Sequence, residues 1–145
     1  MSMVVRKADE ADLLEIKQLV VKAGLQASGI EENLNDFLVV ETEEQEMIGT
    51  VGLECFGKQG LLRSFVIDSQ KWTGQHSVAF LQLALAHAKQ KQIETIYLYA
   101  RQSSELFQQL GFAEVEKAAV PFLLRKAPYY QQVERGETRI FSCSL

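Results

Sequence analysis

Leu61-Leu62-Arg63-Ser64-Phe65-Val66-Ile67-Asp68, followed after a short polar stretch by Ser77 to Lys91, is the part of the sequence that decides the fold. The first segment is apolar almost throughout, as expected of a central strand covered on both faces. The second carries Val78, Leu81, Ala84, Leu85 and Ala88 at helical spacing, which makes one face of a long helix apolar. Ile93 to Ala100 then returns as a strand.

Toward the N-terminus, Phe37 to Val40 and Met47 to Phe56 are apolar runs joined by the acidic stretch Glu41 to Glu46, the pattern of a hairpin, and Gly57 to Gly60 supplies a further turn. Val4 and Val5 predict a short first strand. Asp9 and Asp12 open a helix with Leu13, Ile16, Val20 and Ala23 on one face, which Gly24 ends. Ala27 to Asn35 is polar, contains Gly29, and reads as a loop or short helix suited to forming a substrate wall. Toward the C-terminus, Ser103 caps a short helix carrying Leu106, Phe107 and Leu110; Gly111 stops it, and Phe112 to Val115 begins another strand. Thr138 to Leu145 reads as a final edge strand, which could pair across a two-fold axis and so form a homodimer. This order of elements demands an α/β (α+β) architecture: a mixed, mainly antiparallel sheet with helices on both faces.

At 145 residues and 16.4 kDa, with 47% hydrophobic and 23% charged residues, the chain matches one domain over residues 1–145. A net charge of −4 and a pI near 5.2 argue against nucleic-acid partners, which demand a concentrated basic face. The densest basic stretch, Lys89 to Lys91, lies where cations complement the carbonyl end of a helix. No signal peptide and no membrane-length apolar run is present, so cytoplasm is the expected location and no membrane partner is expected. Cys55 and Cys143 form no disulfide framework, and with His76 and His87 they lack ligand spacing, so no metal is expected.

In two places the sequence resembles the GNAT superfamily of acetyl-CoA-dependent N-acetyltransferases, the similarity in element order running from about residue 3 to 116. Ser103-Ser104-Glu105-Leu106-Phe107-Gln108-Gln109-Leu110-Gly111-Phe112 is similar to the family's late helix and following strand. Leu61 to Asp68 with the long helix resembles its central strand, pyrophosphate loop and helix. The resemblance implies acetyl-CoA as cosubstrate and a small-molecule amine as acceptor. It implies a pantetheine arm on the backbone of Phe65 and Ile67, and an acetyl carbonyl polarised by the amide of Phe65 or Val66. The pyrophosphate would lie at Trp72-Thr73-Gly74-Gln75-His76-Ser77, where helix amides carry about half a unit of positive charge. That loop departs from the family's Arg-Gly-x-Gly-x-Gly-like pattern. Ala100 stands near the family's usual Asn, and Phe107 where many members have a Tyr that acts as acid.

Glu54 interrupts the apolar run Val51 to Phe56, and the resemblance makes it the general base; as a plain strand residue it would be a solvated strand end. Arg63 with Ser64 either clamps a substrate carboxylate bidentately or makes an internal ion pair. His76 either donates to a phosphate or faces solvent, and Trp72 either covers the cofactor or packs under the loop. Leu53-Glu54 and Leu62-Arg63-Ser64 also look like the short GNAT proteins related to acetylglutamate synthases and arsenic-resistance acetyltransferases; Val120 to Tyr130 partly matches their Pro and Arg pattern. The functional expectation is acetyl transfer to a small amine, such as an amino acid or similar carboxylated amine. The alternative is a non-catalytic GNAT-like binding or regulatory module.

Overall fold

The computed structural model describes residues 3–68, 72–100, 105–121, 124–126 and 138–145. Strands β1 (Met3–Lys7), β2 (Phe37–Thr42), β3 (Met47–Phe56), β4 (Gln59–Ile67), β5 (Thr95–Ala100), β6 (Ala113–Val115) and β7 (Arg139–Ser144) form one sheet in the order β1-β2-β3-β4-β5-β7-β6. Every neighbouring pair is antiparallel except β4 and β5, which run parallel because α2 (Gly74–Gln90) connects them. Two further helices, α1 (Leu13–Lys22) and α3 (Glu105–Gln109), and short 3-10 turns complete the regular elements of the described residues. A mixed, mainly antiparallel sheet with helices on both faces is therefore what the hydrophobic pattern anticipates.

Alternation along the strands divides the core. On one face Phe80, Leu81, Ala84 and Ala88 of α2 pack over Val51, Leu53, Leu62 and Leu98. The other face carries two separate apolar patches. One gathers Ile16 and Val20 of α1 with Ile30, Phe37, Val39 and Val66; the other gathers Leu61, Tyr97, Val120, Leu124 and Ile140. Arg63 lies on β4 between Leu61 of the second patch and Val66 of the first, so a polar gap separates two dry regions on one sheet face. Gly52 makes room for the first patch: a Cβ there would stand 2.2 Å from the fully buried Phe37 ring.

Two elements differ from their expected form. Helix α2 begins three residues before Ser77, because Thr73 caps it. The Thr73 hydroxyl accepts from the His76 amide at 3.3 Å, and His76 Nδ1 accepts from the Thr73 amide at 3.2 Å, with histidine in the place that Glu or Gln takes in a usual capping box. The final strand is not an edge. β7 pairs along its whole length with β5, and Ile140 to Ser142 also pair with β6. Ile140 and Phe141 point to opposite faces and are both buried, as an interior strand requires. β6 takes the outer position, so pairing of two copies through an open β7 edge loses its basis.

The start of α1 is tied to the sheet by charge. Arg6 donates to both Asp12 oxygens, at 2.7 and 2.8 Å, and to Glu41 at 3.1 Å, while Asp12 also accepts from the Asp9 amide at 2.8 Å. The Arg6 hydrogen bonds hold the Asp12 carboxyl below the usual carboxylate range, outweighing the desolvation that opposes them. A carboxyl lowered by folding stabilises the native state above its unfolded value, about pH 4, and loses that contribution as pH falls through the lowered value. Asp12→Asn is expected to cost about 2 kcal/mol at neutral pH, and the cost should shrink on acidification to about pH 2. Urea unfolding of both proteins at the two pH values measures this; equal losses at both would contradict it.

Candidate active site

β4 and β5 share a ladder only at Gln59–Thr95, Gly60–Ile96 and Leu61–Tyr97. Beyond that point β4 kinks. Gly52 of β3 pairs with Arg63 and Thr50 with Val66, so β4 holds one extra residue, and Ser64 takes the left-handed φ of +57°. For a non-glycine residue that conformation costs about 1–2 kcal/mol. β5 meanwhile stays paired with β7 as far as Ala100. The two strands part, and a cavity of about 270 Å³ opens between them. Its walls are Leu61 to Phe65 of β4, Leu98 and Tyr99 of β5, Phe107 of α3, Thr138, and Gly24 to Gln26 after α1. Leu62, Leu98 and Phe107 belong to the α2 face, whereas Leu61 and Tyr99 belong to the opposite face, so the cavity runs through the sheet. The facing strand edges carry peptide N–H and C=O groups in the alternating order that suits an extended amide-containing chain.

The first turn of α2 presents exposed helix N-terminal amides. Gly74 and Gln75 head a 17-residue helix with no acidic residue in its first turn, whereas α1 and α3 carry Glu15 and Glu105 there. Thr73 to His76 are exposed, and a Cβ added to Gly74 would meet nothing within 4 Å. No residue from 72 to 77 has a positive φ, so this turn presents its amides without the left-handed glycines that the family's loop sequence would supply. The residues present thus fit a diphosphate. Trp72 packs under the turn: its indole donates to the Ser77 hydroxyl at 2.8 Å, and its ring meets Phe80 edge-on at 6.2 Å. His76 spends Nδ1 on the helix cap. Residues 69–71 lie outside the described set, as does the expected cap Ser103.

On the other face the structure brings Arg63, Ser64 and Glu54 together. Arg63 Nη1 donates to Glu54 Oε1 at 2.6 Å and to the Ser28 carbonyl, Nη2 donates to the Gln26 carbonyl at 2.8 Å, and Nε to the Ser64 hydroxyl at 3.1 Å. Of the two readings of Arg63, the internal ion pair is present. Arg63 also forms part of the cavity wall, while Glu54 contributes none. The polar segment after α1 therefore closes over the pair as a strap. A 3-10 helix, Glu31–Asp36, follows it; Asn33 donates to the Gly29 carbonyl at 2.7 Å, and Lys17 of α1 pairs with Glu31. Gly29 sits on the ion pair in a left-handed conformation (φ +80°), and a Cβ there would stand 3.2 Å from Glu54 Oε1 and 3.3 Å from Arg63 Nη1.

Tyr99, Thr138 and Gln26 enter the cavity without having been anticipated. A signal for Tyr99 lay in β5, where Tyr97 and Tyr99 alternate with Ile96 and Leu98 and so face the Arg63 side. The Tyr99 hydroxyl donates to the Leu124 carbonyl at 3.5 Å. Phe107 lines the cleft and meets Phe112 edge-on at 6.1 Å. Ala100 ends β5 opposite Arg139. His87 lies away from the cleft, its Nε2 3.0 Å from Asp36, which also accepts from Lys91 at 2.9 Å. Burial raises the Asp36 carboxyl, but the Lys91 and His87 hydrogen bonds prevail and hold it below its usual value.

No protein-family model matches the chain. The uncharacterized protein YwlB of Bacillus subtilis (strain 168) is 32% identical over 135 residues, which make up 91% of this chain and 90% of YwlB. N-acetylglutamate synthase from Neisseria gonorrhoeae, solved with coenzyme A and N-acetyl-glutamate, superimposes with a TM-score of 0.83 at 19% identity over 100% of this chain. The chain belongs to the family of YwlB, and its fold is that of GNAT acetyltransferases. It spans only 35% of the length of that synthase. Rv2747 from Mycobacterium tuberculosis, solved with CoA, superimposes over 98% of this chain and 99% of its own (TM-score 0.81, 20% identity). PaiA N-acetyltransferase from Thermoplasma acidophilum, in complex with coenzyme A, does so over 100% of both chains (TM-score 0.68, 15% identity). Among the described residues no helix is long and apolar enough to cross a membrane.

Gly29→Ala tests the strap directly. It should cost about 1–2 kcal/mol of stability through its φ alone. Amide hydrogen exchange from Gln26 to Asn33 should rise in the variant, and unchanged exchange there would mean that Gly29 does not hold the strap.

Proposed function

We propose that the protein transfers an acetyl group from acetyl-CoA to the amine of a small molecule, in particular an amino acid or a similar carboxylated amine. The observation that carries this reading is the through-sheet cleft, with an acid-free helix N-terminus on one side and the Glu54–Arg63–Ser64 group on the other. When bound, acetyl-CoA supplies the acetyl thioester. The Gly74 and Gln75 amides hold its diphosphate, and the open edges of β4 and β5, at Phe65, Val66 and Ile67, hold the amide-containing arm. Leu62, Leu98 and Phe107 keep water from the middle of the cleft. Glu54 takes the proton of the acceptor's ammonium, and Arg63 with Ser64 holds its carboxylate. Phe107 has no acidic proton to offer; among the described residues the hydroxyls along the cleft belong to Ser64, Tyr99 and Thr138.

A second reading, a GNAT-fold module without catalysis, draws on Phe107 and on the guanidinium held against Glu54. Calorimetric titration with acetyl-CoA, and with coenzyme A for comparison, separates the two. Micromolar binding is expected; no binding at millimolar cofactor would sink acetyl transfer. Glu54→Gln is expected to lower turnover about 10²- to 10⁴-fold, followed as thiol release with the accepted amine, and to leave cofactor affinity unchanged. Wild-type turnover in that variant would remove Glu54 from the mechanism.

A further inference from the structure

Helix α1 is apolar on two faces. Ile16 and Val20 press it against the sheet, while Leu14 and Val21 stand 68% and 61% exposed on its outer side, and Leu25, just past its end, is 44% exposed. A surface helix ordinarily turns polar residues to solvent, and a single exposed leucine needs no account. These three, however, are most of the exposed large apolar side chains of the described residues, and the other two, Val4 and Leu83, lie apart on β1 and α2. Leu14, the exposed Gln18 and Val21 follow at intervals of four and three residues, the spacing of a seam between paired helices. Gly24 then turns the chain out of the helix, and the Leu25 amide donates to the Val20 carbonyl at 3.0 Å, which keeps Leu25 beside the last turn. Charge flanks the stripe. Glu15 and Lys22, both exposed, lie along one side of it, and Lys17, on the other side, is paired with Glu31.

We propose that two copies of the protein pair through α1, antiparallel about a two-fold axis near Gln18, and that each copy thereby holds the other's strap at the mouth of the cleft. A second copy is the occupant that the charges fit. In an antiparallel pair Glu15 of each copy meets Lys22 of the other, twice over by symmetry, whereas a parallel pair would set Glu15 against Glu15 and Lys22 against Lys22. Lys22 can turn to this role because its contact with Asp68 is loose, 3.4 Å between side chains 74% and 49% exposed. The same arrangement lays Leu14, at the start of one helix, against Val21 and Leu25 at the end of the other. Leu25 also borders the cleft next to Gln26, whose carbonyl accepts from Arg63. The second copy therefore covers the outer side of a residue that forms part of the cleft wall. Such pairing does not depend on acetyl transfer. With 10 residues α1 is about 15 Å long, so the contact falls short of the roughly 800 Å² per partner of stable complexes, and a dissociation constant on the order of 10–100 μM is expected.

Sedimentation of the full chain from micromolar to millimolar concentration is expected to show a reversible equilibrium of monomer and dimer. Leu14→Asp, at a side chain outside the core, should remain monomeric throughout. Glu15→Lys and Lys22→Glu should each weaken the dimer about tenfold, because each sets two like-charged pairs across the axis, and the double variant E15K/K22E should regain wild-type affinity. The sign of the E15K effect is informative. That substitution reduces the net charge of −4, so a general relief of repulsion between copies would strengthen association where the proposed pairing weakens it. Amide hydrogen exchange from Leu25 to Ser28 should slow in the wild type as protein concentration rises and should not do so in L14D. A wild-type monomer at millimolar concentration, association of L14D equal to wild type, or no recovery in E15K/K22E would overturn the proposal. Exchange from Leu25 to Ser28 that ignores concentration in a dimerising wild type would overturn the hold on the strap. Should L14D not fold, the charge exchange decides.

Discussion

The parting of β4 from β5 is the constraint on which the rest of the molecule depends. Parallel strands in a sheet ordinarily continue their ladder, since each unpaired peptide group left dry costs free energy. Here one extra residue in β4, with Ser64 held left-handed, turns the strand away after three paired positions. β5 cannot follow, because β7 holds it on its other edge to the end. The bulge is costly by itself and is maintained by its neighbours: Val66 and Thr50 re-form the ladder above it, and Gly52 and Arg63 close it below. What results is a passage through the sheet rather than a pocket on its surface.

The two ends of that passage differ in how charge is managed. On the α2 side the positive end of a helix is left without acidic side chains, an arrangement that favours an anionic ligand. The Thr73 and His76 cap satisfies part of the first turn and leaves its leading amides directed outward. On the α1 side a charge pair lies inside the protein, Arg63 against Glu54, and carbonyls of the strap also accept from the guanidinium. The two apolar patches flanking Arg63 exclude water around that pair, and its exclusion strengthens both the pairing and the penalty for breaking it.

The strap links the ion pair to the periphery. It is held by short contacts of several kinds: Asn33 on the Gly29 carbonyl, Lys17 on Glu31, and Asp36 between His87 of α2 and Lys91 just after it. Within the strap the Gln26 and Ser28 carbonyls accept from the guanidinium, and they are the part bounded by left-handed glycines. The segment is therefore anchored near Asp36 and adaptable near Gln26, which is where it borders the cleft.

Hydrophobic periodicity by itself determined the elements, their order and the mixed sheet, because burying one face of each strand and helix leaves few arrangements of so short a chain. The resemblance offered Glu54 as a base, and the chemistry of the central strand offered Arg63 with Ser64 as a carboxylate clamp or half of an ion pair, before any distance was known. Only the tertiary structure decided how they meet. That Arg63 is paired with Glu54, that Trp72 packs beneath the turn, that Tyr99 and Thr138 border the cleft, and that β7 lies inside the sheet all follow from contacts between residues far apart in the chain. Local spacing carries no record of those contacts. The left-handed Ser64 is the clearest case: nothing in its neighbours along the chain asks for that conformation, and the two strands that diverge around it impose it.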